Sequence, residues 1–310
     1  MTRCRFNALV LIAVVLFVAP NAALSADGER GMADDYDRLL DASRVDFDTP
    51  DAERIRRIRD AYESAFSELY KKLSVAEGAI ADSDLKVLFD ATYQVIFYTG
   101  RSIYLDKLIA ISEELEARGI QSDYHVNHLH RSAIVSNELE IAAALQRQHP
   151  DLDLEVVPPT IPSEGSRQVW RLEENRDGGH YLASAETPIS EDLTLVMLAS
   201  PQCGFSRRAA ESLTENGALL ERIDAGLLVL KPPHIRLGLE GVRYWNDAYP
   251  QLELSLAHSK DDWPLFDYWS IPTFYLLNGG RVVETIRGWP SDKRLTELEA
   301  ALEYHGFIGQ

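Results

Sequence analysis

The hydrophobic period of the chain changes near residue 150, and that change constrains the fold more than any single motif. From residue 32 onward, apolar residues recur at three- and four-residue spacing, with no convincing strand run before the change. One such stretch reads Ile55, Ile58, Tyr62, Phe66, Leu69 and Leu73, with Arg54, Arg56, Arg57 and Arg59 interleaved. A second runs from Leu85 through Phe89, Tyr93 and Phe97 to Gly100, and a third from Leu105 through Leu108 and Ile111 to Gly119. Short glycine-containing turns separate them, as antiparallel helical hairpins require.

Two of these hairpins look related. The segments "FYTGRSIYLDKLIAISEEL" and "AIVSNELEIAAALQRQ" place turn-like Gly100 and Asn137 37 residues apart, close to the period of tetratricopeptide repeats. Residues 27–150 are therefore an all-α domain, either a stack of hairpins or an ordinary bundle. A stack would offer a concave face to a protein partner.

The segment "PDLDLEVVPPTIPSEGS" then gathers four prolines and breaks every period around it, which marks a domain boundary. In the linker region 151–190, "RQVWRLEE" and "HYLASAE" flank "NRDGG" and read as a β-hairpin. Over 191–310 strand and helix patterns alternate. Strands are expected at Leu193–Ala199, Leu227–Leu230 and Leu252–Leu256, with helices from Gly204, over Leu239–Ala248 and over Trp263–Tyr268. The segments "TFYLL" and "RVVETI" form a hairpin across "NGG", and a last helix spans Asp292–Tyr304. The expectation is a mixed α/β sheet with flanking helices.

Residues 1–26 carry Arg3 and Arg5, the apolar run Ala8–Ala19, and a small-residue ending at Ala26. That is the layout of a secretory signal, too short in its apolar core for a bilayer span. Cleavage would leave 29 basic and 49 acidic residues. So acidic a chain repels nucleic acid, and it retains no membrane span. Cleavage also removes Cys4, leaving Cys203 alone with no internal disulfide, in a protein addressed to the periplasm.

Cys203 lies in "TLVMLASPQCGFSRRAAESL", directly after a buried-strand pattern and at the start of a helix. Together with "YWSIPTFYLLNGGRVVETIRGW" and the spacing from Glu253 to Pro272, this makes residues 190–310 resemble a thioredoxin domain. The resemblance implies a cis-proline at Pro272, a glycine at Gly288, and a substrate segment pairing with the backbone at Ile271, beside Thr273. A cysteine at a helix N-terminus meets unpaired N–H groups and a positive dipole end, so its thiolate is favoured. In that reading Cys203 is the nucleophile, the Gly204 and Phe205 amides support the thiolate, and Ser206 donates a hydrogen bond to it.

Ser206 stands where a thioredoxin keeps its second, resolving cysteine, so turnover needs an outside thiol. The tetrapeptide Cys203-Gly204-Phe205-Ser206 is similar to that of monothiol glutaredoxins, which use glutathione and share a [2Fe–2S] cluster. Their upstream lysine has no counterpart in "EDLTLVMLASPQ", and an export address conflicts with cluster assembly. Glutathione is thus a candidate co-substrate, while no resident cofactor and no metal are expected.

Further departures from the resemblance are Met197 in place of a buried carboxylate, and Glu253 in place of a lysine on the following strand. An insertion around "KPPHIRLGLEGVRYWNDAYP" is expected to cover or specify the site. The histidines of "YHVNHLHR" read as a polar helix surface rather than a metal site. Trp245, Trp263, Trp269 and Trp289 read as core, with Trp263 and Trp269 placed to flank the sulfur.

Two functions fit. One is single-cysteine thiol-disulfide chemistry on protein or glutathione mixed disulfides. The other is a redox-inactive binding module whose helical half recruits a partner.

Overall fold

A computed structural model describes residues 31–74, 80–163, 168–187, 189, 193–223, 226–291 and 293–308. The export signal expected at residues 1–26 lies outside the described residues.

Among the described residues six helices come first: α1 (Met32–Ser43), α2 (Asp51–Ser74), α3 (Asp82–Thr99), α4 (Ser102–Ala117), α5 (Asp123–Val135) and α6 (Leu139–Gln148). The apolar faces legible in the sequence are the buried ones. Ile58, Tyr62 and Phe66 of α2, Leu85, Leu88 and Phe89 of α3, and Leu105, Leu108 and Ile111 of α4 meet in one core. Gly100 ends α3 with φ +61°, and Asn137 separates α5 from α6 with φ +60°. Glycine is needed at the first of these turns, because a Cβ on Gly100 would stand 2.9 Å from the Val135 carbonyl oxygen.

Eight strands of the described residues then build one sheet: β1 (Thr160–Ile161), β2 (Gln168–Glu174), β3 (His180–Glu186), β4 (Thr194–Leu198), β5 (Leu227–Lys231), β6 (Leu254–Ala257), β7 (Thr273–Asn278) and β8 (Arg281–Arg287). Their order is β1-β3-β2-β6-β5-β4-β7-β8. The helices are α7 (Gly204–Glu215) and α8 (Gly217–Ile223) between β4 and β5, α9 (Leu239–Ala248) between β5 and β6, and α10 (Lys293–Tyr304) after β8. β4, β5 and β6 run parallel, while β7 is antiparallel to β4 and β8 to β7. The β2–β3 hairpin is not a separate appendage. Val169 and Trp170 pair with Ala257 and Leu256, so it extends the main sheet through β6.

Strand alternation splits the sheet between two cores. On β4, Leu195 and Met197 face the large core shared with the helices, whereas Val196 and Leu198 face a second cluster with Trp263, Phe266 and Tyr275. The helix expected over Trp263–Tyr268 does not form, and this segment is a turn after the short 3₁₀ stretch Lys260–Asp262. Trp263 and Phe266 are both buried in the second cluster, and the Tyr275 hydroxyl satisfies the backbone of Tyr268, accepting from its N–H and donating to its carbonyl, each at 2.8 Å. The described residues from Met32 onward pack as a single compact unit. Trp170 Nε1 donates to Asn137 Oδ1 at 2.6 Å, and the Glu155 carboxylate accepts from the Leu237 and Gly238 amides at 3.0 and 2.6 Å.

Candidate active site

Cys203 is the N-cap residue of α7, with extended backbone (φ −88°, ψ 115°), and its carbonyl accepts the first helical hydrogen bond from Arg207 at 3.1 Å. β4, buried along its whole length, delivers the chain to this point, so the cysteine sits at the end of a central strand. The following N–H groups of Gly204, Phe205 and Ser206 have no acceptor within the helix. Sγ is partly exposed and lies 3.8 Å from the Ile271 carbonyl oxygen, to which the thiol donates.

The Ile271–Pro272 peptide is cis, as the resemblance implies. The Gly288 amide donates to the Pro272 carbonyl at 2.8 Å, and Gly288 adopts φ +76°. Thr273 is fully buried and donates to the Ser270 carbonyl at 2.7 Å, so it braces the loop from behind instead of facing the cavity. Cys203, Ile271 and Pro272 are thus brought together, with Gly204 and Phe205 exposed beside them. The Arg208 guanidinium lies 4.6 Å from the centre of the Phe205 ring. Ser206 is fully buried, and its hydroxyl accepts from the Ser200 amide at 3.3 Å. Among the described residues no hydrogen bond joins Ser206 to the sulfur.

A cavity of about 790 Å³ opens at Cys203, and a third of its lining residues come from the helical half. Phe47, Thr49, Asp51 and Arg54 from the start of α2 and the loop before it line one side, and His130 and Arg131 of α5 another. The stretch 231–236, from the insertion that the sequence singles out, supplies a third. The helical side is tied to the cis-proline loop by specific bonds. Asp51 accepts from the Trp269 amide at 2.7 Å, and the Asp51 amide donates to the Asp267 carbonyl at 2.8 Å. Asp51 also pairs with Arg54 at 3.6 Å and with Lys260 at 3.7 Å. Arg287 pairs with Asp48 at 3.0 Å, donates to the Phe47 carbonyl, and stacks between the Phe47 and Tyr268 rings.

Several of these residues carry no sequence motif. The strand beside β4 is β5, not the segment holding Glu253, and it ends in Lys231. A charged residue closing the apolar run "LLVLK" was the available signal. Lys231 is 5% exposed, and its ammonium donates to the Arg236 carbonyl at 3.1 Å. Burial pushes its pKa down to about 8, with the Glu155 carboxylate acting in the opposite direction.

The polar-surface reading of the histidines is overturned for two of the three, because α5 packs against α3, α4 and α6. His125 is buried, with Nδ1 accepting from the Ser122 amide at 3.0 Å and its ring edge-on to Phe89. His130 is 1% exposed, and its Nε2 has no partner among the described residues. Burial lowers the pKa of both rings. His128 donates from Nδ1 to the Tyr124 carbonyl at 2.7 Å. Among the described residues no group of three or more His, Cys, Asp or Glu side chains converges. Of the two tryptophans expected to flank the sulfur, Trp269 lines the cavity and Trp263 is enclosed in the second core.

No protein-family model and no curated protein matches the chain. Similar solved structures include a thioredoxin-like protein from Bacteroides caccae, 14% identical, covering 96% of this chain and 99% of that one with a TM-score of 0.29. StoA from Bacillus subtilis is 16% identical over 46% of this chain and 99% of its own, with a TM-score of 0.29. A secreted Mycobacterium tuberculosis disulfide oxidoreductase homologous to E. coli DsbE is 13% identical over 42% of this chain and 95% of its own, with a TM-score of 0.29. At such scores the fold rests on the chain's own geometry. A parallel β4-α7-β5 unit opening on Cys203, an antiparallel β7-β8 hairpin closed by α10, and a cis-proline facing the cysteine give the C-terminal half a thioredoxin-like fold, joined to an all-helical N-terminal half.

Proposed function

We propose that the protein is an exported thiol-disulfide exchange catalyst that works with one cysteine. The observation carrying this reading is the partly exposed Cys203 Sγ at the N-terminus of α7, 3.8 Å from the Ile271 carbonyl. Nucleophile and backbone docking edge are then within reach of one extended substrate segment. The sulfur stands at the first turn of α7, whose Gly204 and Phe205 amides have no acceptor within the helix.

The thiolate attacks one sulfur of a protein or glutathione mixed disulfide. A new S–S bond forms to Cys203, the old one breaks, and the expelled sulfur leaves as a thiolate that takes a proton from water. An outside thiol, for which glutathione serves, then attacks the Cys203 disulfide and restores the thiolate. Export is inferred from residues 1–26. No helix of the described residues is long and apolar enough to cross a membrane.

The test is the rate of Cys203 alkylation against pH. A reactive nucleophile gives an apparent pKa below the free-thiol value of about 8.5; a value at or above it removes the enzyme reading. Cys203→Ser should abolish exchange.

The second reading is a redox-inactive binding module whose helical half recruits a protein partner. The bonds from Asp51 and Arg287 that tie the helices over the cis-proline loop favour it, because they narrow the approach of a folded protein to the sulfur.

A further inference from the structure

The cavity at Cys203 carries a charge opposite to that of the molecule. The chain has a formal net charge of −18, yet the described residues lining the cavity include six Arg or Lys and three Asp or Glu. Two of those acids are already engaged. Asp51 is held by the Trp269 amide, Arg54 and Lys260, Glu155 accepts two backbone amides, and Asp153 is exposed.

The cations are less completely matched. Arg131 and Arg236 have no ion-pair partner among the described residues, and buried Lys231 reaches a backbone carbonyl. The buried Nε–H donors of Arg54 and Arg287, on the same wall, lack partners among the described residues. A cleft lined by one sign of charge concentrates ligands of the other sign, and a buried polar atom without a partner calls for one. The volume of about 790 Å³ suits a ligand the size of a short peptide.

We propose that this cavity binds the acidic half of a small mixed disulfide. That half is a low-molecular-weight thiol carrying two or more carboxylates, seated against Arg131, Lys231 and Arg236 with its sulfur at Cys203 Sγ. The inference rests on the exchange reading above and names its substrate class. Cys203 takes the small acidic sulfur and expels the target's sulfur as a thiolate, which is protonated by water. A second molecule of the same acidic thiol then attacks, releasing the Cys203 thiolate and the symmetrical small disulfide.

The test uses the full chain and two probes of opposite charge, glutathione disulfide and cystamine. The rate of mixed-disulfide formation at Cys203 is followed by intact mass, each rate divided by that of the same disulfide with a simple free thiol. Glutathione disulfide is expected to react at least about ten-fold faster at low ionic strength, with the ratio falling toward one at high salt. Arg131→Gln combined with Arg236→Gln should collapse the ratio. Equal rates, or a preference for cystamine, overturn the inference and leave the exchange reading intact. If neither probe reacts, the exchange reading fails. Calorimetry of S-methylglutathione with the Cys203→Ser chain then judges the cavity separately. Binding that weakens with salt supports the anion site, and no binding overturns it.

Discussion

Replacing Lys231 with methionine should stabilise the protein at neutral pH. The Lys231 ammonium is 5% exposed at the end of a central strand, and its pKa falls from 10.5 to about 8. That fall corresponds to about 3 kcal/mol in favour of the neutral amine on folding. Below about pH 8 the group is charged in both the folded and unfolded chains, so the fold carries the full penalty. Between pH 8 and 10.5 the unfolded chain binds the proton and the folded chain does not, so stability rises with pH across that window.

Methionine has similar length and no charge. It removes the penalty but also the bond to the Arg236 carbonyl, worth about 1 kcal/mol. The expected net gain at pH 7 is about 2 kcal/mol, or a Tm rise of roughly 3 °C for a chain of this size. Urea unfolding of both proteins at pH 7 and pH 10 is the assay, and the advantage of the variant should shrink by about 2 kcal/mol at the higher pH. A variant less stable at pH 7, or an advantage equal at both pH values, would refute the reasoning. A buried charge that weakens the fold while lining the cavity at Cys203 is what a site for an anion requires, since bound carboxylate would offset the penalty.

Three further outcomes are expected. Asp51→Ala leaves Lys260 and Arg54 uncompensated and the Trp269 amide unbonded, costing roughly 2 kcal/mol. It should also speed Cys203 labelling by a bulky maleimide more than by iodoacetamide, and an unchanged ratio would show that the helices do not guard the sulfur. Gly100→Ala places a Cβ 2.9 Å from the Val135 carbonyl at φ +61°, and a urea midpoint should register a loss of about 1–2 kcal/mol or more. Ser206→Cys puts a second thiol in the first turn of α7; with glutathione disulfide added as oxidant, mass spectrometry should detect loss of two hydrogens as a disulfide to Cys203 forms and two glutathione thiols are released, and the reduced variant should gain insulin reduction.

Much of the fold could be read from local chemistry. The spacing of Ile58, Tyr62 and Phe66 makes one face of α2 apolar, Gly100 and Asn137 mark where α3 and α5 end, and alternation locates β4, β7 and β8. The helix expected over Trp263–Tyr268 failed because six residues containing Pro264 could be held as a turn by a hydroxyl on β7, a partner invisible to any local window. The histidines of α5 misled for a related reason. A polar residue on a helix reads as exposed unless the neighbouring helices that bury it are known.

The sequence alone therefore determined the two kinds of architecture, the cysteine at a strand-to-helix junction, and the proline opposite it. Each depends on the period or the backbone preference of a few adjacent residues. Only the tertiary structure decided what surrounds the sulfur. Asp51, His130, Lys231 and Arg287 come from four segments spread over more than two hundred residues, and they share one cavity because the helices are bonded over the cis-proline loop. Charge complementarity of that kind depends on distances through space, and periodicity along the chain carries none of it.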